Sequence, residues 1–154
     1  MAENKERVVV SNRKARHDYH ILETMEAGIV LTGTEVKSVR KGNANLQDSY
    51  ASIKNGEVWL IGMHISPYEQ GSIYNHEPRR TRKLLLARRE IRRLLTRVQE
   101  KGLSLIPLAV YFKGPYAKVE LSIAQGKKSY DKREAIKQRD AKREIAQHLK
   151  RSTS

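Results

Sequence analysis

The sequence predicts a mainly β protein with helices: a small antiparallel barrel of about six short strands, one long helix and one or two short extra helices. Three observations point there. Short β-branched and apolar runs recur between residues 8 and 124, separated by turns that carry glycine. One stretch, residues 80–101, instead repeats its apolar side chains at three- and four-residue steps. Closing the strands on themselves removes edges that would otherwise pair with other chains, and it leaves an outer face for a ligand.

The elements follow in order. Val8-Val9-Val10 is the first strand, and the polar, basic residues 11–18 read as a loop or a single helical turn. Residues 19–24 form a strand, Ala27-Gly28 turns the chain, and residues 29–34 form another strand in which Gly33 marks a bulge. Residues 35–40 make a short helix with Thr34 as N-cap and Gly42 near its end. A hairpin joins residues 49–54 to 57–62, because Asn55-Gly56 supplies the two positive-φ positions of a type I′ turn. Residues 66–77, with Pro67 and Gly71, read as a surface loop. The long helix then buries Leu84, Ala87, Ile91, Leu94, Leu95 and Val98 and stops at Gly102. Arg89, Arg93 and Arg97 stack on its other face beside Arg88 and Arg92. A second hairpin pairs residues 103–112 with 116–124 across Lys113-Gly114-Pro115.

Composition shifts at Gly126. Residues 127–154 hold ten basic and four acidic side chains, a net of +6, and their only apolar side chains beyond alanine are Tyr130, Ile136, Ile145 and Leu149. So little burial does not offset the ordering entropy of the segment, while its Ala, Glu, Lys, Arg and Gln content favours helix. The expected organisation is a folded domain over 8–125 and a basic tail over 126–154, disordered alone and helical on a charged partner.

The 31 Lys and Arg residues outnumber 17 acidic ones, for a net charge of +14. Such a domain repels itself when compact, and a polyanion relieves the repulsion. Nucleic acid is the usual polyanion, since neutralising phosphates releases condensed counterions; a merely soluble basic surface or an anionic membrane surface are the alternatives. The absence of Cys excludes disulfides and thiolate zinc sites. No run of apolar residues is long enough for a membrane span, and Met1 to Arg7 lacks the apolar stretch of a secretory signal, so the expected location is the cytoplasm.

No catalytic constellation emerges. The histidines at 17, 20, 64, 76 and 148 are scattered, with no HExxH, and His17, Asp18 and His20 lack a further ligand for a metal corner. Gly126-Lys127-Lys128-Ser129 lacks the upstream glycine of a phosphate cradle, and no serine sits in a GxSxG elbow. Neither enzyme activity, metal nor cofactor is expected; an RNA-processing enzyme using His17 and Asp18 is the remote alternative. Binding residues are more evident. Asn12, Arg13, Lys14, Arg16 and His17 combine cations for phosphate with an amide and a ring for unpaired bases. Arg79, Arg80, Arg82 and Lys83 form a second basic cluster. Glu26 and Glu35 are positioned either to accept hydrogen bonds from base edges or to pair with a nearby Arg or Lys.

Four blocks in this order carry a resemblance. Ser11-Asn12-Arg13-Lys14-Ala15-Arg16-His17-Asp18-Tyr19 is followed by Glu26-Ala27-Gly28-Ile29 with Gly33-Thr34-Glu35-Val36-Lys37-Ser38-Val39-Arg40. Arg80-Thr81-Arg82-Lys83-Leu84-Leu85-Leu86 and Gly126-Lys127-Lys128-Ser129-Tyr130-Asp131-Lys132-Arg133-Glu134 complete them. Over about residues 8–144 the chain resembles the small protein B family, the SsrA-binding proteins of bacterial trans-translation. The resemblance implies an oligonucleotide-binding-type barrel and a non-enzymatic adaptor. Its expected partners are the tRNA-like domain of tmRNA, the ribosome at the 16S rRNA decoding centre, and elongation factor Tu through the tmRNA complex. It implies a tmRNA surface at Asn12, Arg16, His17, Glu26, Glu35, Lys37, Lys83 and Leu85, to which the basic clusters add Arg13 and Arg82. It also implies a ribosome-binding tail that uses Lys127, Lys128, Tyr130, Asp131, Lys132, Arg133, Lys137, Arg139, Lys142 and Arg143. The far tail lacks an aromatic that some members carry, which leaves Ile145 or Leu149 for any late apolar contact. The chain is expected to act as a monomer without membrane contact. A resident rRNA-binding ribosomal protein is the alternative.

Overall fold

The structure, a computed structural model, describes residues 7–68, 75–100 and 102–127. Their elements run β1 (Arg7–Ser11), α1 (Arg13–Asp18), β2 (Tyr19–Ile29), α2 (Gly33–Arg40), β3 (Ala44–Asn45), β4 (Tyr50–Lys54), β5 (Glu57–Ile61), β6 (His64–Ile65), β7 (Arg82–Leu85), α3 (Arg88–Val98), β8 (Leu103–Lys113) and β9 (Tyr116–Gly126). Strands β8, β4, β5, β7, β2 and β9 pair in turn, and β9 pairs back on β8, which closes a ring of six antiparallel strands. β1 lies along the far half of β8, from Ser11 opposite Ala109 to Arg7 opposite Phe112. β3 and β6 form a separate two-stranded ribbon. The oligonucleotide-binding-type barrel expected from the sequence is the fold.

Because successive side chains of a strand point to opposite faces, one set fills the barrel. Ala27 and Ile29 of β2, Val58 and Leu60 of β5, Leu84 of β7, and Val119, Leu121 and Ile123 of β9 all lie in the main core. Leu94 of α3 enters it fully buried, and Val39 of α2 is equally buried. A second, smaller core lies outside, where Ala15 of α1 covers Ile106, Leu108 and Ala124. One strand serves both cores because a bulge between Pro107 and Ala109 shifts the alternation of β8. Leu105 belongs to the main core before the bulge, and Val110 and Phe112 belong to it after.

The structure corrects several local expectations. Residues 82–85 are strand rather than the start of the long helix. Arg82 and Leu84 are buried while Leu85 is exposed, a period of two, and pairing with β5 and β2 satisfies the backbone. The helix therefore begins at Arg88, where the Glu90 carboxylate accepts the Ala87 N–H at 3.1 Å. Leu95, expected in the core, is exposed. Ala27-Gly28 does not turn the chain: β2 runs straight through to Ile29. The strand expected over residues 29–34 ends there, and Gly33 opens α2 instead of forming a bulge. Thr32, not Thr34, caps α2, in a reciprocal box in which its hydroxyl accepts the Glu35 N–H while the Glu35 carboxylate accepts the Thr32 N–H at 2.8 Å. Within the segment read as a loop or helical turn, Arg13–Asp18 form the helical turn α1 while Ser11 ends β1, and β8 and β9 are long rather than short, eleven residues each.

The hairpin turn holds as read, with φ of 54° at Asn55 and 74° at Gly56. Residues 69–74 of the expected loop lie outside the described residues.

The two adjacent leucines of α3 separate docking from helix propensity. Leu94→Ala is expected to cost about 2–5 kcal/mol, as a buried truncation does. Leu95→Ala is expected to stay within about 0.5 kcal/mol; urea unfolding of both variants checks the contrast.

Candidate nucleic-acid interface

The surface is organised from beneath by a buried ion pair. Glu35 of α2 and Arg82 of β7 both have fully buried side chains, and the Arg82 Nε–H lies 2.5 Å from Glu35 Oε2. A charge removed from water needs its hydrogen bonds supplied by the protein. Arg82 donates further to the carbonyls of Met63 (2.8 Å) and Pro78 (3.1 Å). The other Glu35 oxygen accepts from Arg80 at 2.6 Å as well as from the Thr32 N–H. Burial alone pushes the Glu35 carboxyl up, but Arg80, the Thr32 N–H and Arg82 together outweigh it and hold the group below the ordinary glutamate range.

Above this pair lies the outer face of the barrel. Register aligns Leu85 of β7, Gly28 of β2, Lys118 of β9 and Tyr111 of β8 in one row. Gly28 matters here, since a Cβ at that position would meet the Leu85 Cβ at 3.3 Å. In the next row Glu26 stands opposite Glu120. Glu26 accepts hydrogen bonds from Lys113 (2.6 Å) and Tyr111 (2.7 Å), with Lys118 at 3.9 Å. The bonds from Lys113 and Tyr111 hold its carboxyl low, against a lesser opposing push from partial burial. Glu120 takes Arg16 of α1 at 3.2 Å, which ties the helix to the same face. Lys83 extends the face toward β5, where it meets Glu57 at 2.9 Å.

The sequence-predicted residues divide on this geometry. Arg13, Arg16, His17, Glu26, Lys37 and Leu85 are exposed, and Lys83 is partly so. His17 Nδ1 sits 3.1 Å from the Asp18 carboxylate, and Lys37 lies over the Tyr68 ring at 5.4 Å. Three others do not present a side chain to a ligand, and direct contact is corrected for each. Asn12 is buried as the N-cap of α1: its oxygen accepts the Ala15 N–H at 3.2 Å while its amide donates to Pro107 (2.9 Å) and Leu46 (3.3 Å) carbonyls. Glu35 and Arg82 are consumed by their mutual pair. All three position the surface from below. Lys37 lies on α2 rather than on a strand of the barrel.

In the tail, Lys127 is described, whereas Lys128, Tyr130, Asp131, Lys132, Arg133, Lys137, Arg139, Lys142 and Arg143 lie outside the described residues. Sequence reading missed Tyr111, Lys113, Lys118 and Glu120, whose common face depends on strand register. The arginine face of α3 is partly self-neutralised, since Arg93 and Arg97 both reach Glu23 of β2. No group of three or more metal-ligating side chains occurs among the described residues. No helix among them is long and apolar enough to cross a membrane.

Comparison with known proteins covers nearly the whole chain. Residues 9–151 match the family model described as SmpB protein. An SsrA-binding protein of Carboxydothermus hydrogenoformans is 63% identical over 145 residues, which is 94% of this chain and 97% of the relative. One from Acetivibrio thermocellus is also 63% identical, over 150 residues and 97% of each chain. Among solved structures, a chain described under "tmRNA-SmpB: a journey to the center of the bacterial ribosome" superimposes with a TM-score of 0.65 at 56% identity, covering 75% of this chain and 82% of its own.

The buried pair makes a pH-dependent prediction. Glu35→Gln leaves the Arg82 charge uncompensated and is expected to cost roughly 3–5 kcal/mol near neutral pH. Glu35 titrates lower in the folded chain than in the unfolded one. Its contribution is therefore full above the ordinary glutamate value of 4.5 and is lost as pH falls through its depressed native value. Urea midpoints of wild type and variant should converge on acidification below that value; a constant gap would assign the loss to packing instead.

Proposed function

The chain belongs to the SmpB protein family, and on that premise we propose that it is a non-enzymatic RNA-binding adaptor for ribosome rescue in trans-translation. It binds the tRNA-like domain of tmRNA on the outer face of its barrel and brings that RNA, with elongation factor Tu, to ribosomes stalled on truncated messages. The observation that carries this reading is the unbroken outer face from Arg16 of α1 across β9 and β2 to Lys83 and Leu85 of β7.

The face suits a folded RNA. Its cations are held in place by Glu26, Glu57 and Glu120 rather than free to wander, and phosphate contacts of this kind fix register and orientation. The exposed Leu85 offers an apolar contact for a base or sugar. Arg13 and His17 extend the face at α1, and Lys37 lies on α2.

The family match continues to residue 151 and so takes in the basic segment beyond Lys127. In this reading Lys127, Lys128, Tyr130, Asp131, Lys132, Arg133, Lys137, Arg139, Lys142 and Arg143 engage the 16S rRNA decoding centre and the empty message channel, the segment forming a helix there. A cationic segment that orders only on its target gives up affinity to ordering, which lets it sample ribosomes without adhering to every RNA. The protein works as a cytoplasmic monomer.

Two measurements test the division of labour. Lys83→Ala is expected to weaken binding to the tRNA-like domain and to reduce the salt dependence of log K by about one; an unaltered slope would take Lys83 out of the interface. Removal of residues 131–154 is expected to leave that affinity nearly intact while abolishing tagging of stalled chains in a reconstituted translation system. Equal loss of both activities would contradict separate surfaces.

A further inference from the structure

Trp59 is the only tryptophan of the chain, and it stands on the outside of the barrel. On β5 Val58 and Leu60 are fully buried in the core, so alternation turns Glu57, Trp59 and Ile61 outward. An indole on the inner face would be filling the core; this one, at the centre of a strand, faces the other way. It is in cross-strand register with Ser52 of β4 and Lys83 of β7. An open groove of 460 Å³ lies against it, bordered by Lys54, Asn55, Glu57, Ile61 and Thr81.

We infer that Trp59 is a stacking platform for one unpaired base of the bound RNA, with Lys54 and Lys83 neutralising the phosphates on either side. The inference rests on the RNA-binding reading above and extends that face by one strand. The groove offers what a single nucleotide needs. The indole supplies a π-surface, on which any base stacks. Ser52 and Thr81, the short side chains beside it, leave room for the base, and the Asn55 amide carries both a donor and an acceptor for a base edge. Cations stand at the rim: Lys54 at the hairpin end of β4 and Lys83 across the strand pair. Glu57 lies 2.9 Å from Lys83 and disfavours a phosphate inside the groove, so the ribose-phosphate chain passes along the rim while the base enters. Continuity with Lys83 and Leu85 joins the groove to the proposed tRNA-like interface, which makes an unpaired loop nucleotide the fitting occupant rather than a duplex, whose bases are already stacked.

A lone tryptophan makes the test direct. The full chain is titrated with the tRNA-like domain, and in parallel with a fully paired RNA duplex of the same length, while Trp59 emission is followed. Quenching by the tRNA-like RNA and none by the duplex is the expected result. Trp59→Phe keeps a ring and is expected to bind within about threefold of wild type; Trp59→Leu keeps apolar volume without a π-face and is expected to bind roughly ten- to a hundredfold more weakly. Circular-dichroism melts establish that both variants are folded, and should Trp59→Leu fail to fold, the wild-type quench and Trp59→Phe still decide the matter. Wild-type affinity in a folded Trp59→Leu, equal quenching by duplex, or binding with unchanged emission would each overturn the inference while leaving the RNA-binding function intact. Failure of the wild-type chain to bind the tRNA-like RNA at all would instead sink the functional reading together with it.

Discussion

Two opposite charges sealed from water set the terms for this structure. Glu35 and Arg82 sit 47 residues apart in sequence and meet in the interior with almost all their polar atoms engaged. A buried pair of this kind adds little net stability over apolar side chains of the same volume, whereas removing one partner is severe. What the pair fixes is position. It clamps α2 to β7, and those two elements carry Lys37, Lys83 and Leu85 to the surface. Arg80 joins from the half-exposed side and extends the network to the Val30 carbonyl.

The outward residues of β2, β7, β8 and β9 build on that fixed frame. Glu26, Glu57 of β5 and Glu120 look out of place on a chain of net charge +14, yet each forms an ion pair with a lysine or arginine. Long cationic side chains lose considerable rotamer entropy when a ligand immobilises them. Pairing them beforehand takes part of that loss in the folding step, so at the proposed interface binding phosphate is an exchange of partners on an already ordered surface. Buried Asn12 plays the same supporting part for α1: its bonds to Leu46 and Pro107 seat the helix that presents Arg13, Arg16 and His17.

Local chemistry was legible in the sequence, and burial was not. Asn55-Gly56 announced its turn because positive φ is a property of those two residues. The strand Arg82–Leu85 hid inside a helical pattern because Leu84-Leu85-Leu86 satisfies both periodicities, and only the partners β2 and β5 decide between them. Arg82 reads as a ligand-binding cation in a run of cations; its burial follows from alternation within a strand that the pattern did not reveal. For Glu35 the sequence allows either a base edge or an ion pair, and the structure holds it in the interior pair with Arg82. Tyr111, Lys113, Lys118 and Glu120 join Glu26 through register between β2, β8 and β9, a relation no local window contains. The outward turn of Trp59 was hidden too, because Val58-Trp59-Leu60-Ile61 is apolar throughout and only the burial of Val58 and Leu60 decides which side faces in.

Hydroxyl-radical footprinting of the free and RNA-bound chain asks directly whether this rigid outer face is the grip. With the tRNA-like domain of tmRNA bound, Leu85 and His17 should lose reactivity while exposed Leu95 on α3 keeps it. Protection of Leu95 with Leu85 and His17 unchanged would contradict the assignment and move the RNA onto the surface of α3.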